Sequence, residues 1–478
     1  MSKLYEFRNS LAKPDTIGSL RAGLIGNGLE FATPFGVQKL LYADYVASGR
    51  ALRQVEEFVM NEVLPYYANS HTQASFCGGV MTRMREEARG VIAEITQAGP
   101  DCHVVFTGSG ATSGINRLVG LLGITALVQA GKKVVVLIGP YEHHSNILPW
   151  RESGAQIVEL PESAEGGPQL EALETALSEA AGSALVVGSF SAASNVTGII
   201  TNPVPVTQLM RAYGGICIWD YAAGAPYLPM AMGSAADGPD AIVFSPHKFP
   251  GGPGASGVLI LRDTVVRRQT PTLPGGGTVS FVSPWHHEYS QNVETREEAG
   301  TPNVVGDIRA ALALLVKDAV GLDAIARREA ELRNRALAAW ADQPQIRLLG
   351  QSPHAHALPI FSFQVTDDAG NPVHHQLFTR MLSDHYGVQA RGGCACAGPY
   401  AHRLLQIDET ASASLMQRLN LQHEIEKPGW VRLNLSYMHT DEEVDIILSA
   451  VVSLANNCSR LTPLYEADAA HARFRPAA

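Results

Sequence analysis

The chain has no basic surplus, no long apolar run and no dense set of cysteines, and each absence removes a class of protein. Formal net charge is -10 at pH 7, so the basic footprint that nucleic acid or an anionic membrane requires is missing. The longest apolar run, 118–130, is too short and too polar to span a bilayer. Six cysteines scattered over 478 residues are not a disulfide framework. The opening MSKLYEFRNSLAKPD lacks the basic-then-apolar pattern of a secretory signal. Three His-His pairs, at 143–144, 286–287 and 374–375, fall in no spaced ligand pattern such as H-E-x-x-H, so no metal is expected. The expectation is a soluble cytoplasmic protein with neither nucleic acid nor membrane among its partners.

What is present is apolar bulk in a regular alternation. Hydrophobic residues make up 46% of the chain, enough for large cores. At about 150 residues per domain, the length suggests two to four domains. Between 100 and 265, β-branched runs alternate with helical stretches such as LEALETALSEAA (170–181). The candidate strands are HVVF (103–106), KVVVLI (133–138), ALVVGSF (184–190), GICIW (215–219), AIVF (241–244) and GVLIL (257–261). This alternation predicts an α/β unit with a mostly parallel sheet covered on both faces. Residues 1–40 read as an arm or N-terminal helix with a loop, 271–283 as a Gly/Pro-rich loop, and 308–341 as a strongly helical stretch. The rest reads as α+β: HALPIFSFQV (356–365), a helix near 373–386, a Gly/Cys loop, WVRLNLSY (430–437), and a final helix capped near Thr440. The expected division is an arm at 1–40, a large domain at 41–315 and a smaller α+β C-terminal domain at 316–478.

Ligands of open parallel sheets bind at the carboxyl ends of the strands. Here those ends carry TGSGATSGIN after HVVF, GPYEHHSN after KVVVLI, SAASN after ALVVGSF, Asp220 after GICIW and SPHK after AIVF. One rim thus collects Thr112, His143, Asn195, Asp220, Ser245, His247 and Lys248. Backbone N–H groups at a helix start, with the Ser109 and Thr112 hydroxyls, can hold a phosphate. In a lysine-poor chain, Lys248 follows an apolar strand and precedes FPGGPGASG. That setting would desolvate the amine and make it a nucleophile toward a carbonyl. Asp220 could hold a pyridinium nitrogen protonated, and His143 could stack on a ring. Taken singly, each has an ordinary reading: a surface lysine, a helix-capping aspartate, a structural histidine, a glycine-rich turn. Taken together they are the set that pyridoxal phosphate (PLP) requires.

With these residues in place, the sequence resembles the class V aminotransferase family of fold-type I PLP enzymes, which includes cysteine desulfurases and selenocysteine lyases. The likeness runs from YADYVASGRAL (42–52) to the C-terminal helix. It implies a large domain with a mostly parallel seven-stranded sheet and a smaller α+β domain. It implies that Ala111 and Thr112 contact the phosphate, with Ser245 and His247, and that His143 stacks on the ring. Asn195 is expected near the phenolic oxygen, Asp220 at the pyridine nitrogen, and Lys248 in a Schiff base with the cofactor. EAGTPNVVG (298–306) resembles a segment whose threonine, Thr301, reaches the phosphate of a neighbouring subunit, which implies a homodimer. Arg432 matches the arginine that binds the substrate's α-carboxylate. RGGCACAGP (391–399) resembles the loop of the desulfurase nucleophile and places Cys396 at that position, with Cys394 as an additional thiol. In an extended loop both thiols could face one side.

The resemblance implies a sulfur-releasing lyase acting on L-cysteine or an analogue, with a persulfide on Cys396 and a protein or small thiol as sulfur acceptor. One departure stands against it: Ala223 occupies the position where desulfurases usually carry a glutamine. An aminotransferase or epimerase without thiol chemistry is the alternative. A dinucleotide-binding oxidoreductase is a more distant one, because no G-x-G-x-x-G follows a first strand.

Overall fold

The computed structural model describes residues 2–70, 73–352 and 354–477. An early strand, β1 (Leu41–Tyr42), is followed by β2 (Cys102–Gly108), β3 (Val134–Ile138), β4 (Gln156–Glu159), β5 (Leu185–Ser191), β6 (Ile216–Asp220), β7 (Ala241–Phe244) and β8 (Gly257–Arg262). The last seven form one sheet in the order β2-β8-β7-β6-β5-β3-β4. Strands β4, β3, β5, β6 and β7 run parallel. Strand β8 runs antiparallel to both β2 and β7. The central strands β3, β6, β7 and β8 are buried along their whole length, as β-branched runs covered on both faces should be.

Six of the seven strands lie where the β-branched runs predict them. The seventh, β4, is a half-polar edge strand with an exposed Gln156 and Glu159, which gave no such run. The chain leaves β2 through Gly108 and Ser109 into α1 (Gly110–Leu121). A Cβ on Gly114 of this helix would come within 2.8 Å of Val243 Cγ1, so glycine permits the close approach of α1 to the sheet.

The expected helical stretch 308–341 is two helices, α2 (Val304–Val320) and α3 (Leu322–Trp340). Gly321 separates them with φ of +85°, a left-handed region that favours glycine. The expected loop at 271–283 includes a strand, Val279–Val282, paired antiparallel with His287–Tyr289.

Compactness divides the chain into two units. The first is Met1–Ile25, Ser48–Ala193 and Thr201–Ile325; the second is Gly26–Ala47, Ser194–Ile200 and Ala326–Ala478. Against the expected division at 40/41 and 315/316, two short early segments thus join the C-terminal part.

The second unit is built on β9 (Ile346–Leu348), β10 (Ile360–Thr366), β11 (Val388–Gln389), β12 (Arg391–Gly393) and β13 (Trp430–Asn434). Strands β9, β10, β13 and β12 form an antiparallel sheet in that order, with Pro372–Val373 added beside β10. Strand β1 pairs parallel with β11. Helices α4 (His375–Tyr386) and α5 (Asp441–Ala455) pack with the sheet around Trp340, Phe361, Phe363, Phe378 and Leu433. Helix α5 starts at the expected cap: Thr440 and Glu443 form a reciprocal capping box. No single helix among the described residues is long and apolar enough to cross a membrane.

Candidate functional site

In the first unit, the candidates gather where the strands end. Asp220 closes β6 and is 4% exposed. Its Oδ1 accepts a hydrogen bond from the Ala222 N–H at 2.8 Å. Burial pushes this carboxyl above its ordinary value, while the Ala222 N–H and the charge of Lys248 pull the other way. Lys248 is half-buried in the short turn Pro246–Lys248 that follows β7. Its charge, after burial, also holds the His247 imidazole below its usual value.

Strand β7 and the start of α1 meet through Ser245, whose Oγ accepts from the Ala111 N–H at 3.0 Å. Gly110, with φ of +61°, leaves room for this contact. A Cβ there would stand 2.7 Å from Ser245 Oγ and 3.1 Å from His247 Cε1. The helix N-terminus, a serine hydroxyl and an imidazole therefore converge on one small cradle.

Thr112 Oγ1 and Ser145 Oγ lie 2.7 Å apart. Ser145 in turn meets His143: its N–H donates to Nδ1 at 3.1 Å, and its Oγ lies 3.0 Å from the same nitrogen. A backbone N–H can only donate, so Nδ1 is an acceptor, and in the neutral ring the proton sits on Nε2. The first turn of α1 and the histidine segment are thus linked by hydroxyls. Thr301 is exposed in the turn before α2.

One functional candidate escaped the sequence reading. Glu142, 3% exposed, accepts from Ser191 N at 2.8 Å and from Ser191 Oγ at 2.7 Å. Asn146 Nδ2 donates to the same carboxylate. Asn146 Oδ1 accepts from Trp150 Nε1 at 3.1 Å and Ser189 Oγ at 2.6 Å. This buried network fixes the segment carrying His143 to the end of β5. Burial pushes the Glu142 carboxyl up to about 7; its hydrogen bonds resist, and the Asp220 charge adds to the rise.

In the second unit, Arg432 lies on β13 and is 4% exposed. Its Nη2 donates to Asp44 Oδ1 at 2.8 Å, and its Nη1 to the Asn195 carbonyl at 3.1 Å. Its Nε is buried with no hydrogen-bond partner among the described residues. Burial lowers its pKa; the Asp44 carboxylate chiefly favours its charge, and Arg391 opposes it. Asn195 Nδ2 donates to the Ala395 carbonyl at 2.8 Å.

The Cys-Ala-Cys loop is a tight turn rather than an extended segment. Ala395 and Cys396 have φ of 54° and 55°, and the Ala397 N–H donates to the Cys394 carbonyl at 3.2 Å. The alternation that would put both thiols on one side of an extended loop is therefore absent. Two successive non-glycine residues in the left-handed region cost about 1–3 kcal/mol each. Cys396 is exposed and Cys394 half-buried.

The sequence profile of the family described as Aminotransferase class-V matches residues 41–446. The chain belongs to the aminotransferase class-V family. It is 30% identical over 381 residues to a probable cysteine desulfurase of Pyrococcus abyssi, an alignment covering 79% of this chain and 90% of that protein. It is 31% identical over 392 residues to a cysteine desulfurase of Enterobacter sp. (strain 638), covering 81% and 91%. The fold matches the apo cysteine desulfurase of Thermococcus onnurineus NA1 with a TM-score of 0.72 at 23% identity, covering 92% of this chain and 98% of that one. The Escherichia coli cysteine desulfurase CsdA matches with a TM-score of 0.69, also at 23% identity, over 92% and 98%.

Membership of this class V family makes the protein a PLP-dependent enzyme of fold type I. The residues present fit that cofactor. A phosphate needs the N–H groups and hydroxyls that Gly110, Ala111, Thr112 and Ser245 bring together. A pyridine nitrogen needs a buried acid such as Asp220, and an aldehyde needs an amine such as that of Lys248.

Proposed function

We propose that this enzyme is a cysteine desulfurase-like catalyst that moves sulfur from L-cysteine, or a close analogue, onto Cys396. PLP would be held by Ser245, His247, Thr112 and the Ala111 N–H at its phosphate, Asp220 at its nitrogen, Asn195 near its phenolic oxygen, and Lys248 covalently. His143 would cover the ring face, kept in place by the Glu142 network. When bound, the cofactor supplies an electron sink for the bonds at the substrate's Cα.

The protein's own residues divide the remaining work. Arg432 binds the α-carboxylate through its planar fork. The Lys248 amine takes the proton from the substrate's Cα. The Cys396 thiolate attacks the substrate's sulfur, forming a persulfide S–S bond as the carbon–sulfur bond breaks, and the three-carbon remainder leaves as alanine. A protein or small thiol then accepts the outer sulfur. We place the reaction in the cytoplasm, in a homodimer in which Thr301 serves the phosphate of the neighbouring subunit.

The observation that carries this reading is the exposed Cys396 thiol on a strained turn, tied through Asn195 to Arg432. The test compares Cys396→Ala with Cys394→Ala on L-cysteine. Only the first should lose the enzyme persulfide by mass spectrometry and alanine formation with it. Full turnover in both variants would refute thiol chemistry. Ala223, in place of the usual glutamine, favours the second reading in that event: an aminotransferase or epimerase in which Cys396 is a bystander.

A further inference from the structure

Arg391 and Arg432 are direct partners across the antiparallel strands β12 and β13. Like charges placed opposite one another on a sheet repel. Asp44, itself 7% exposed, joins them: Oδ1 accepts from Arg432 Nη2 at 2.8 Å, and Oδ2 from Arg391 Nε at 2.9 Å. The other terminal nitrogen of Arg432, Nη1, donates to the carbonyl of Asn195, whose side chain holds the Ala395 carbonyl. Both terminal nitrogens of Arg432 thus lead toward the thiol turn, Nη1 through one residue and Nη2 through two. Asp44 leads to Arg391 on the strand that feeds the turn, and Asn195 leads to the turn's middle.

The remaining donor of the fork is Nε, buried with no partner among the described residues. Nε and Nη2 share one edge of the guanidinium, an edge that meets a carboxylate with two parallel hydrogen bonds. Asp44 already accepts a hydrogen bond from Nη2, one of the two nitrogens of that edge. A second carboxylate arriving there would satisfy the orphaned Nε–H and contest Nη2 with Asp44.

We propose that Asp44 is a positioning residue that couples recognition of the substrate's carboxylate to placement of the Cys396 thiol. The incoming carboxylate displaces Asp44 from Arg432; Asp44 then pairs with Arg391 alone, and the anchor of the Cys-Ala-Cys turn shifts. The turn is prepared to move, since two left-handed residues hold it away from relaxed backbone geometry. This inference rests on the reading of Arg432 as the carboxylate-binding residue.

The test uses the holoenzyme and propionate, a carboxylate with no amine or thiol to react. Propionate binding is measured by calorimetry, and the rate of Cys396 alkylation by iodoacetamide is followed by mass spectrometry. In the wild type, propionate should change the alkylation rate several-fold. In Asp44→Asn, propionate should bind on the order of tenfold tighter, because a competing anion is gone, and alkylation should no longer respond to it. Arg391→Gln, which deprives a displaced Asp44 of its second arginine, should bind propionate several-fold more weakly and lose the alkylation response. Weaker propionate binding in Asp44→Asn would make Asp44 a mere support for Arg432 and overturn the proposal. So would a wild-type alkylation rate indifferent to propionate. Arg432→Ala separates the two levels of the argument. If it binds propionate as the wild type does, the carboxylate reading itself fails. If it loses propionate while Asp44→Asn matches the wild type, only the coupling fails.

Discussion

Glu142 and Ser191 are joined twice, by the Ser191 N–H at 2.8 Å and the Ser191 hydroxyl at 2.7 Å. Parallel pairing sets Ser191 beside Asp220 on the neighbouring strand. Two buried carboxyl groups therefore share the end of the sheet, and the Asp220 charge raises the cost of ionising Glu142. Burial pushes the Glu142 carboxyl up to about 7 from an ordinary 4.5. A carboxyl raised on folding contributes stability that is complete below its unfolded value and is lost as pH rises through its folded value. Glu142→Gln removes the titration but turns an amide NH2 toward a donor, the Ser191 N–H or Asn146 Nδ2. It should melt below the wild type near pH 4.5, by a difference that shrinks by a few degrees toward pH 8. Scanning calorimetry of the apoenzyme across that window checks it, and a constant difference at all pH values would contradict the assignment.

Lys248 ends the short turn that follows β7 and acts electrostatically on Asp220. Lys248→Ala should lose the visible absorbance that borohydride bleaches in the wild type. A variant that retains a reducible lysine–PLP linkage would move the covalent attachment elsewhere.

Arg432 offers its Nε–H and an Asp44-bound Nη2 along one edge. Removing the charged partner of a substrate carboxylate typically costs about 2–5 kcal/mol. Arg432→Ala should raise KM for L-cysteine by about 30-fold or more, with the spectrum of bound PLP unchanged. Steady-state kinetics with spectra of the same preparation tests this, and an unaltered KM would return Arg432 to a structural role.

Thr301 is exposed in its turn, where a neighbouring subunit's phosphate could reach it. Thr301→Ala should weaken PLP retention on dialysis, and sedimentation of the wild type should give at least a dimer. A fully active monomer would remove this role.

The sheet was legible because its strands are short β-branched runs. AIVF occupies 241–244 in both readings, and Asp220 proved to be the last residue of its strand rather than the first beyond it. Strand β4 was not legible, since edge position leaves Gln156 and Glu159 in solvent and no apolar run marks it. The cradle proposed for the phosphate could be suspected from GSGATSGIN, but it also takes Ser245, which meets Ala111 from across the sheet. Glu142 sits beside His143 in plain view, yet an acid in a turn looks like a surface residue until Ser191 is brought to it. Asp44 gave less warning still: its partners, Arg391 and Arg432, lie hundreds of positions along the chain, and no local pattern announces a carboxylate between two arginines.

The segment around Asp44 also governs the order in which this protein can be completed during synthesis. Its Ala43 N–H donates to the Gln389 carbonyl and its Ala43 carbonyl accepts from Asn434, both inside the second unit. Val46 N–H is held by the Asn434 side chain at 2.9 Å. An emerging chain therefore makes Gly26–Ala47 early; 30–39 can close its own hairpin, but 41–46 must wait for its partners until nearly the last strand, β13, has left the ribosome. The first unit has all its residues by Ile325 and can close without waiting. For the second, folding is necessarily late and non-local, a regime in which exposed strand edges invite aggregation. A fragment of 326–478 alone would lack the strand that fills the place beside β11.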